Sequence, residues 1–251
     1  MNAEALHRTG LLVRHNLVLR LRDPSQLISY VVMPMVLMTV LKPLYVKALS
    51  SGTVQAVTGP LVMFSVFALA VVGHSIMVER EWRTWDRLRV TRACRTELLL
   101  GKTVPAFLIL LLQQTVVLGF GCLVLGLRLP ASVGWVVLAV AIWGFTLLSV
   151  GAALATLART RGDLSVVSDL GAVAVSALGG ALVPVSLMPA WARHIAPASP
   201  GYWAMSLIRA ALEGDGSAMV RPALVCLSIG VAFGTLAAYR LARGWGRSRL
   251  L

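Results

Sequence analysis

The chain has 251 residues, of which 58% are hydrophobic and 13% charged, and its mean hydropathy of +0.82 lies well above that of soluble globular domains. The formal net charge is +13, but the basic residues lie between apolar runs and not along one continuous face, which argues against a nucleic-acid partner. Cys94, Cys122 and Cys226 are far apart and form no CxxC pair, so neither a disulfide framework nor a zinc site is indicated.

The N-terminal residues 1–26 show an amphipathic pattern ahead of the first apolar run. Apolar residues recur at helical spacing while most arginines lie off that stripe, which predicts a helix lying in the membrane interface. Asp23-Pro24 ends this helix. A basic flank that only fixes orientation is the alternative. No cleavage site follows a short apolar region, so the first span is expected to remain in the mature protein.

Six apolar stretches are long enough, at roughly 20 residues, to cross a bilayer as helices. They are residues 27–45, 61–78, 103–127, 133–158, 164–187 and 222–239. An even number of spans places both termini on one side, and most of the 23 Lys and Arg fall on the cytosolic side if the termini are cytosolic. The predicted fold is an all-α protein of the cell membrane with six transmembrane helices and both termini in the cytosol.

Residues 188–221, between the last two spans, have a different character. Their apolar residues are too sparse to cross a bilayer, yet too many for a solvated loop. Prolines divide the segment into short pieces, and its Trp and Tyr residues favour the membrane interface. We predict two short re-entrant helices that dip into or lie on the outer leaflet.

A dense charged segment, residues 79–102, follows the second predicted span. Read as a helix, it pairs Glu79 with Arg83 four residues later and places Trp82 and Trp85 on one face. Such a helix either binds a cytosolic partner or lies on anionic lipid. The residues of the segment alone leave both interpretations open.

Two blocks of residues resemble the ABC-2 type exporter permeases, and the resemblance extends over essentially the whole chain. The first is Glu79-Arg80-Glu81 with Thr84, Asp86, Leu88, Thr91 and Glu97-Leu98-Leu99-Leu100-Gly101-Lys102, which is similar to the family's segment after the second span. The second resembles the outer re-entrant region and comprises Gly179-Gly180, Pro184, Met188-Pro189, Trp191, Ile195, Pro200, Tyr202, Arg209 and Gly214. Among subgroups the chain looks most like the daunorubicin-resistance drug exporters, although Arg83 and Arg92 stand where the family usually has glycine and proline.

The resemblance implies a single transmembrane domain over 1–251 and a set of partners. Two permease copies, expected to be a homodimer, would join two copies of a cytosolic ATP-binding-cassette ATPase. The ATPase would grip a coupling helix through Glu79, Arg80, Glu81, Arg83, Thr84, Asp86, Arg87 and Thr91. Gly101-Lys102-Thr103 matches the end of a phosphate-binding loop, but Thr96 replaces its first glycine. The chain is therefore not expected to be an enzyme or to bind a cofactor, and ATP and Mg would be used by the partner.

Three polar side chains inside the predicted spans are candidates for the substrate pathway. Asp169 lies about 9 Å deeper than Asp163 on a straight helix. Pathway lining, a hydrogen bond to a neighbouring helix and a proton relay all remain open for it. Gln113 and Gln114 either line the pathway or form interhelical hydrogen bonds.

Pro200, Tyr202 and Arg209 are candidates for an outer gate. The hypothesis is that Arg209 forms a salt bridge with Glu213, and a contact with lipid headgroups is the alternative. Gly230 and Gly234 form a GxxxG pattern that allows close packing within one subunit or between two.

The predicted function is export of an amphipathic small molecule such as a drug. Export of lipid or polysaccharide is the alternative. An ion-coupled secondary transporter is a further alternative, although a transporter of that class would be expected to contain paired intramembrane acids or inverted repeats.

Overall fold

A computed structural model describes residues 3–22, 25–67, 95–128 and 132–242, together with 69, 73 and 77. This part of the chain is helical and contains no strand. Its α-helices are α1 Ala3–Arg22, α2 Ser25–Ala48, α3 Gly52–Phe67, α4 Arg95–Leu123, α5 Val133–Leu157, α6 Arg161–Leu178, α7 Ala190–Ile195, α8 Pro200–Glu213 and α9 Gly216–Ala242. Short 3-10 turns at Val185–Leu187 and Ala196–Ala198 flank α7.

Four helices in the described residues are long and apolar enough to cross a membrane. They are Ile28–Ala48 in α2, Thr103–Leu123 in α4, Val133–Leu157 and Gly216–Arg240 in α9. The described part of α3 is apolar but has only 16 residues. The 18 residues of α6 include Arg161, Asp163 and Asp169. The chain is thus a membrane protein that is all-helical in its described part, and crossing by α3 and α6 stays a prediction.

The helices differ from the predicted spans at three boundaries. The second apolar helix begins at Gly52, nine residues before the predicted 61, because a tight turn follows α2; a Cβ at Gly52 would overlap the carbonyl of Tyr45. The fifth ends at Leu178 and not at 187, because Gly180 adopts the left-handed φ of 85° that glycine tolerates best. The last begins at Gly216, six residues before Pro222.

The core of the bundle lies around α3, which packs against α2, α4, α5, α6 and α8. Val57 and Val62 of this helix have no exposed surface. Trp143 of α5 is also buried and donates its indole N–H to the Ser65 hydroxyl at 2.8 Å. Aromatic N–H groups need such a partner when they leave water, so this bond fixes the depth at which α5 meets α3.

The two glycines of the GxxxG pattern pack within one subunit, against α5. A Cβ at Gly230 would lie 2.8 Å from the ring of Phe145 and 3.3 Å from the Thr146 Cα. A Cβ at Gly234 would lie 3.3 Å from the Ser149 hydroxyl. Close approach also lets the Thr146 hydroxyl donate to a backbone carbonyl of α9 at 2.9 Å. Of the two alternatives left open by the sequence, the structure supports packing inside the subunit.

Two short helices do precede α9, as the prolines predicted. The second, α8, begins with Pro200 at its first position and with the Ser199 hydroxyl accepting from the N–H of Gly201. It ends at Gly214, whose φ of 78° closes the helix. Placement of α7 and α8 in the outer leaflet stays a prediction.

We expect Gly230→Val to destabilise the protein by about 1–3 kcal/mol, because the added methyl groups must push α5 and α9 apart. Gly119→Val in α4 is the matched control, since a Cβ there would meet no atom within 4 Å. Thermal unfolding of the purified variants in detergent measures the difference. Equal losses in the two variants would contradict the packing described for α5 and α9.

Candidate functional site

Prolines inside two spanning helices leave backbone carbonyls without their usual partners. Proline has no N–H, so the carbonyl four residues earlier loses its helical hydrogen bond. Pro34 in α2 affects Tyr30 in this way, and Pro105 in α4 affects Gly101. In an apolar environment such a carbonyl must find another donor or incur a free-energy cost.

Gln113 of α4 supplies that donor for Tyr30. Its Nε2 lies 3.1 Å from the Tyr30 carbonyl oxygen and 3.4 Å from the carbonyl oxygen of Phe64 in α3. The side chain is only 3% exposed. The amide therefore joins three helices, as the interhelical alternative predicts.

Gln114, the neighbouring pathway candidate, is 1% exposed. Its Nε2 lies 3.4 Å from the carbonyl oxygen of Leu110 in its own helix. Its Oε1 has no hydrogen-bond partner in the described part of the chain. This side chain makes no bond between helices there.

Asn16 of α1 supplies the donor for Gly101. Its Nδ2 donates to the Gly101 carbonyl at 3.1 Å and to that of Leu12 at 2.9 Å. The helices touch at this point, because a Cβ at Gly101 would lie 2.7 Å from the Cβ of Leu12. The N-terminal helix is thus fixed to the first turns of α4, at the end of the charged segment. Its contact with the lipid interface stays a prediction.

A buried polar cluster joins α3, the turn after α6, and α8. Nε2 of Gln55 donates to the carbonyls of Gly180 at 2.9 Å and Ala181 at 3.3 Å. Its Oε1 accepts a hydrogen bond from Nη2 of Arg209. We call these four residues the Gln55–Arg209 junction. The guanidinium bonds to Gln55, which sequence spacing did not suggest, while the expected partner Glu213 lies close enough for an electrostatic interaction.

Glycines allow the backbone segments around the junction to approach one another. A Cβ at Gly59 would overlap the Ala181 carbonyl oxygen, and one at Gly179 would lie 2.6 Å from the carbonyl carbon of Gly201. The Ser199 hydroxyl donates to the Val175 carbonyl at 2.8 Å and fixes the start of α8 against the end of α6. At the junction α3, the end of α6 and α8 therefore pack closely together.

The three outer-gate candidates do not act as one cluster. Pro200 begins α8, and Arg209 enters the junction. Tyr202 lies on another side of the same helix, where its ring meets that of Trp203 edge to face at 5.2 Å. Sequence reasoning missed Gln55, because the residue precedes the apolar window and was therefore placed outside the second span.

Asp169 lies on the exposed face of α6. Another side of this helix, represented by Leu164 and Ser168, is buried, and Leu164 lies where a Cβ at Gly73 would touch it. Apolar neighbours of Asp169, such as Val166 and Leu170, are also exposed. The carboxylate is close enough to Tyr30 of α2 for an electrostatic interaction.

The predicted coupling residues, Glu79 to Thr91, lie outside the described residues, and their role stays a prediction. In the described part of the chain, no group of three or more His, Cys, Asp or Glu side chains is placed to hold a metal ion.

Comparison with known proteins identifies the family. The family model described as ABC-2 type transporter matches residues 7–212. The chain belongs to the ABC-2 type transporter family. Members of this family are membrane permease subunits. The match does not single out the daunorubicin-resistance subgroup suggested by the motifs.

Three relatives of this ABC-2 type chain illustrate the range of similarity. "Probable multidrug ABC transporter permease YbhR" of Escherichia coli K12 is 25% identical over 136 residues, covering 54% of this chain and 37% of the relative. "Inner membrane transport permease YhhJ" of the same organism is 29% identical over 202 residues, covering 78% and 52%. "Linearmycin resistance permease protein LnrN" of Bacillus subtilis 168 is 24% identical over 162 residues, covering 62% and 40%. The matches span about half or less of the length of these relatives.

We expect Gln113→Leu to cost about 0.5–1.5 kcal/mol, because it leaves the Tyr30 carbonyl without a donor. Pro34→Ala restores the N–H that this carbonyl normally uses, so most of the loss should disappear when both changes are combined. A double-mutant cycle on thermal unfolding in detergent measures this coupling. Strict additivity of the two changes would show that Gln113 does not act through the proline-freed carbonyl.

Proposed function

We propose that this ABC-2 type chain is the permease subunit of an ATP-driven exporter that moves an amphipathic small molecule, such as a drug, out of the cell. The observation that carries the proposal is the family match over residues 7–212, which includes the charged segment and three of the four long apolar helices. The printed names of YbhR and LnrN, a multidrug permease and a linearmycin resistance permease, support drug-like cargo.

In this proposal a separate cytosolic ATPase supplies the energy. Two ATPase copies bind ATP and Mg, and each grips the coupling helix of one of two permease copies. The bond between Asn16 and Gly101 supports this arrangement, because a force applied to the segment before α4 reaches α1 and α4 together. The arginines at positions 83 and 92 then meet acidic groups of the ATPase.

The position of Asp169 supports a second permease copy or an aqueous pathway beside α6. An ionised aspartate at mid-membrane costs about 3 kcal/mol. Charged side chains in spans therefore face protein or water far more often than lipid. A homodimer that places the exposed face of α6 along the pathway avoids this cost.

The Gln55–Arg209 junction is suited to act as the outer gate in this proposal. One guanidinium–amide bond connects α8 to α3, and α8 meets α6 through glycine contacts and the bond from Ser199 to Val175. When α8 separates from α3 and α6, the helices change from one packed arrangement to another. Packed helices switch between such discrete arrangements and do not deform continuously. Substrate release then requires this bond to break and reform in each cycle.

We predict that Glu81→Arg uncouples ATP hydrolysis from export, because charge reversal disturbs the contact between the coupling helix and the ATPase while the spans remain intact. Drug transport and ATP hydrolysis are measured in vesicles containing the permease and its ATPase. Glu4→Arg in α1 is the matched charge reversal and should preserve transport. Normal export by Glu81→Arg would remove the coupling role.

We predict that Arg209→Ala lowers export about tenfold, because it leaves the buried Gln55 oxygen unpaired, a defect worth about 1–3 kcal/mol. Arg193→Ala is the control. Arg193 is exposed in α7, and its Nε donates to the Met188 carbonyl. Membrane insertion is checked for both variants. Wild-type export by inserted Arg209→Ala would contradict the gate.

A further inference from the structure

A cavity of about 420 Å³ lies between the N-terminal turns of α8 and α9. This volume is within the range of about 300–1,000 Å³ that is usual for small-ligand sites. Two aromatic rings, one cation and two hydroxyl groups line it, contributed by Tyr202, Trp203, Arg221, Ser206 and Ser217. None of the roles proposed above uses this cavity.

The Trp203 ring has a fixed orientation in the cavity wall. Its indole N–H donates to the carbonyl of Pro197 at 2.8 Å, and Tyr202 packs nearly perpendicular to it. The guanidinium carbon of Arg221 lies 5.4 Å from the centre of a Trp203 ring. A cation over an aromatic face is attracted to it, so the ring holds the guanidinium beside the cavity.

The described residues provide no acidic partner for Arg221. The guanidinium has no ion pair there, and no acidic side chain lines the cavity. The nearby Asp215 instead caps α9, accepting from the hydroxyl and N–H of Ser217 and from the N–H of Ala218. Bonds from the Ser217 hydroxyl, then the Ala218 N–H, lower the pKa of the Asp215 carboxyl and keep it ionised at its own helix end. The cavity therefore offers an unneutralised cation.

An apolar surface continues from the cavity along α9. Arg221 is the last cation before the apolar run 222–239. Val220, Leu224 and Val231 follow one side of the helix and are each more than half exposed. Trp and Tyr side chains favour the depth of lipid headgroups. A cationic pocket thus lies at the end of an exposed apolar stripe, the arrangement that matches a phosphate joined to an acyl chain.

We propose that this cavity binds the phosphate-bearing headgroup of a membrane phospholipid. The Arg221 guanidinium donates to the phosphate oxygens, since guanidinium groups match phosphate geometry. The glycerol backbone packs on Trp203, and one acyl chain follows Val220 and Leu224. This inference is independent of the exported substrate and of the ATPase.

Native mass spectrometry of the full chain, purified in detergent and titrated with dioleoylphosphatidylglycerol, tests the site. We expect Arg221→Gln to weaken lipid retention about fivefold, as removal of one cation beside an anionic headgroup implies. Arg128→Gln is the matched control, because it removes an exposed cation that does not line the cavity. This control should stay within about twofold of the wild type. Equal retention by Arg221→Gln and wild type, or equal losses in both variants, would overturn the proposal.

Two further arms identify the ligand chemistry. Dioleoylglycerol, which lacks the phosphate, should be retained poorly, and retention equal to that of the phospholipid would exclude a phosphate site. Inorganic phosphate should fail to displace the lipid at equal concentration. Full displacement would indicate a site for free phosphate and not for lipid. If Arg221→Gln does not fold, Trp203→Leu replaces it, and unchanged lipid retention by that variant would overturn the proposal.

Discussion

A backbone carbonyl in an apolar environment must have a donor, and this constraint determines how the helices of the chain join. Pro34 and Pro105 each remove a helical N–H, and the freed carbonyls take side-chain amides from another helix. The Gln55 side-chain amide likewise donates to two backbone carbonyls, in the turn after α6. Gln113, Asn16 and Gln55 thereby become the points at which helices are fixed to one another. Apolar contact alone does not select such points, because it has no direction.

The amide bonds lie where the proposed transport cycle needs defined contacts between helices. Gln113 of α4 meets Phe64 of α3, and eight residues later a Cβ at Gly121 would touch Val57, which precedes Phe64 in α3. Helix α4 therefore runs antiparallel to α3. The Asn16–Gly101 bond and the Gln55–Arg209 junction therefore lie at opposite ends of this helix pair. In the proposed cycle the first receives force from the ATPase, and the second responds at the outer side. Helices joined at fixed points move as units, and this lets a small displacement at one end reach the other.

Composition, helical spacing and prolines predicted a helical membrane protein, the N-terminal helix and the two short helices before α9, because each depends on local sequence. Hydropathy did not locate the helix ends at three boundaries, because a turn glycine such as Gly180 or an early start such as Gly52 does not change a window average. The role of Gln55 depends on partners more than 120 residues away, so no local pattern reveals it. The prediction for Arg209 was incomplete for a related reason. Sequence spacing suggested the nearby Glu213, which does interact electrostatically, but the fold also brought an amide of α3 within hydrogen-bonding distance.

The central claim is that a separate ATPase drives this permease through the segment before α4. Affinity purification of the tagged chain in mild detergent, with quantification of every recovered subunit, tests it most directly. The account predicts recovery of an ATP-binding-cassette ATPase in equal numbers with the permease, two copies of each. Full transport by the purified chain, reconstituted with no ATPase present, would contradict it.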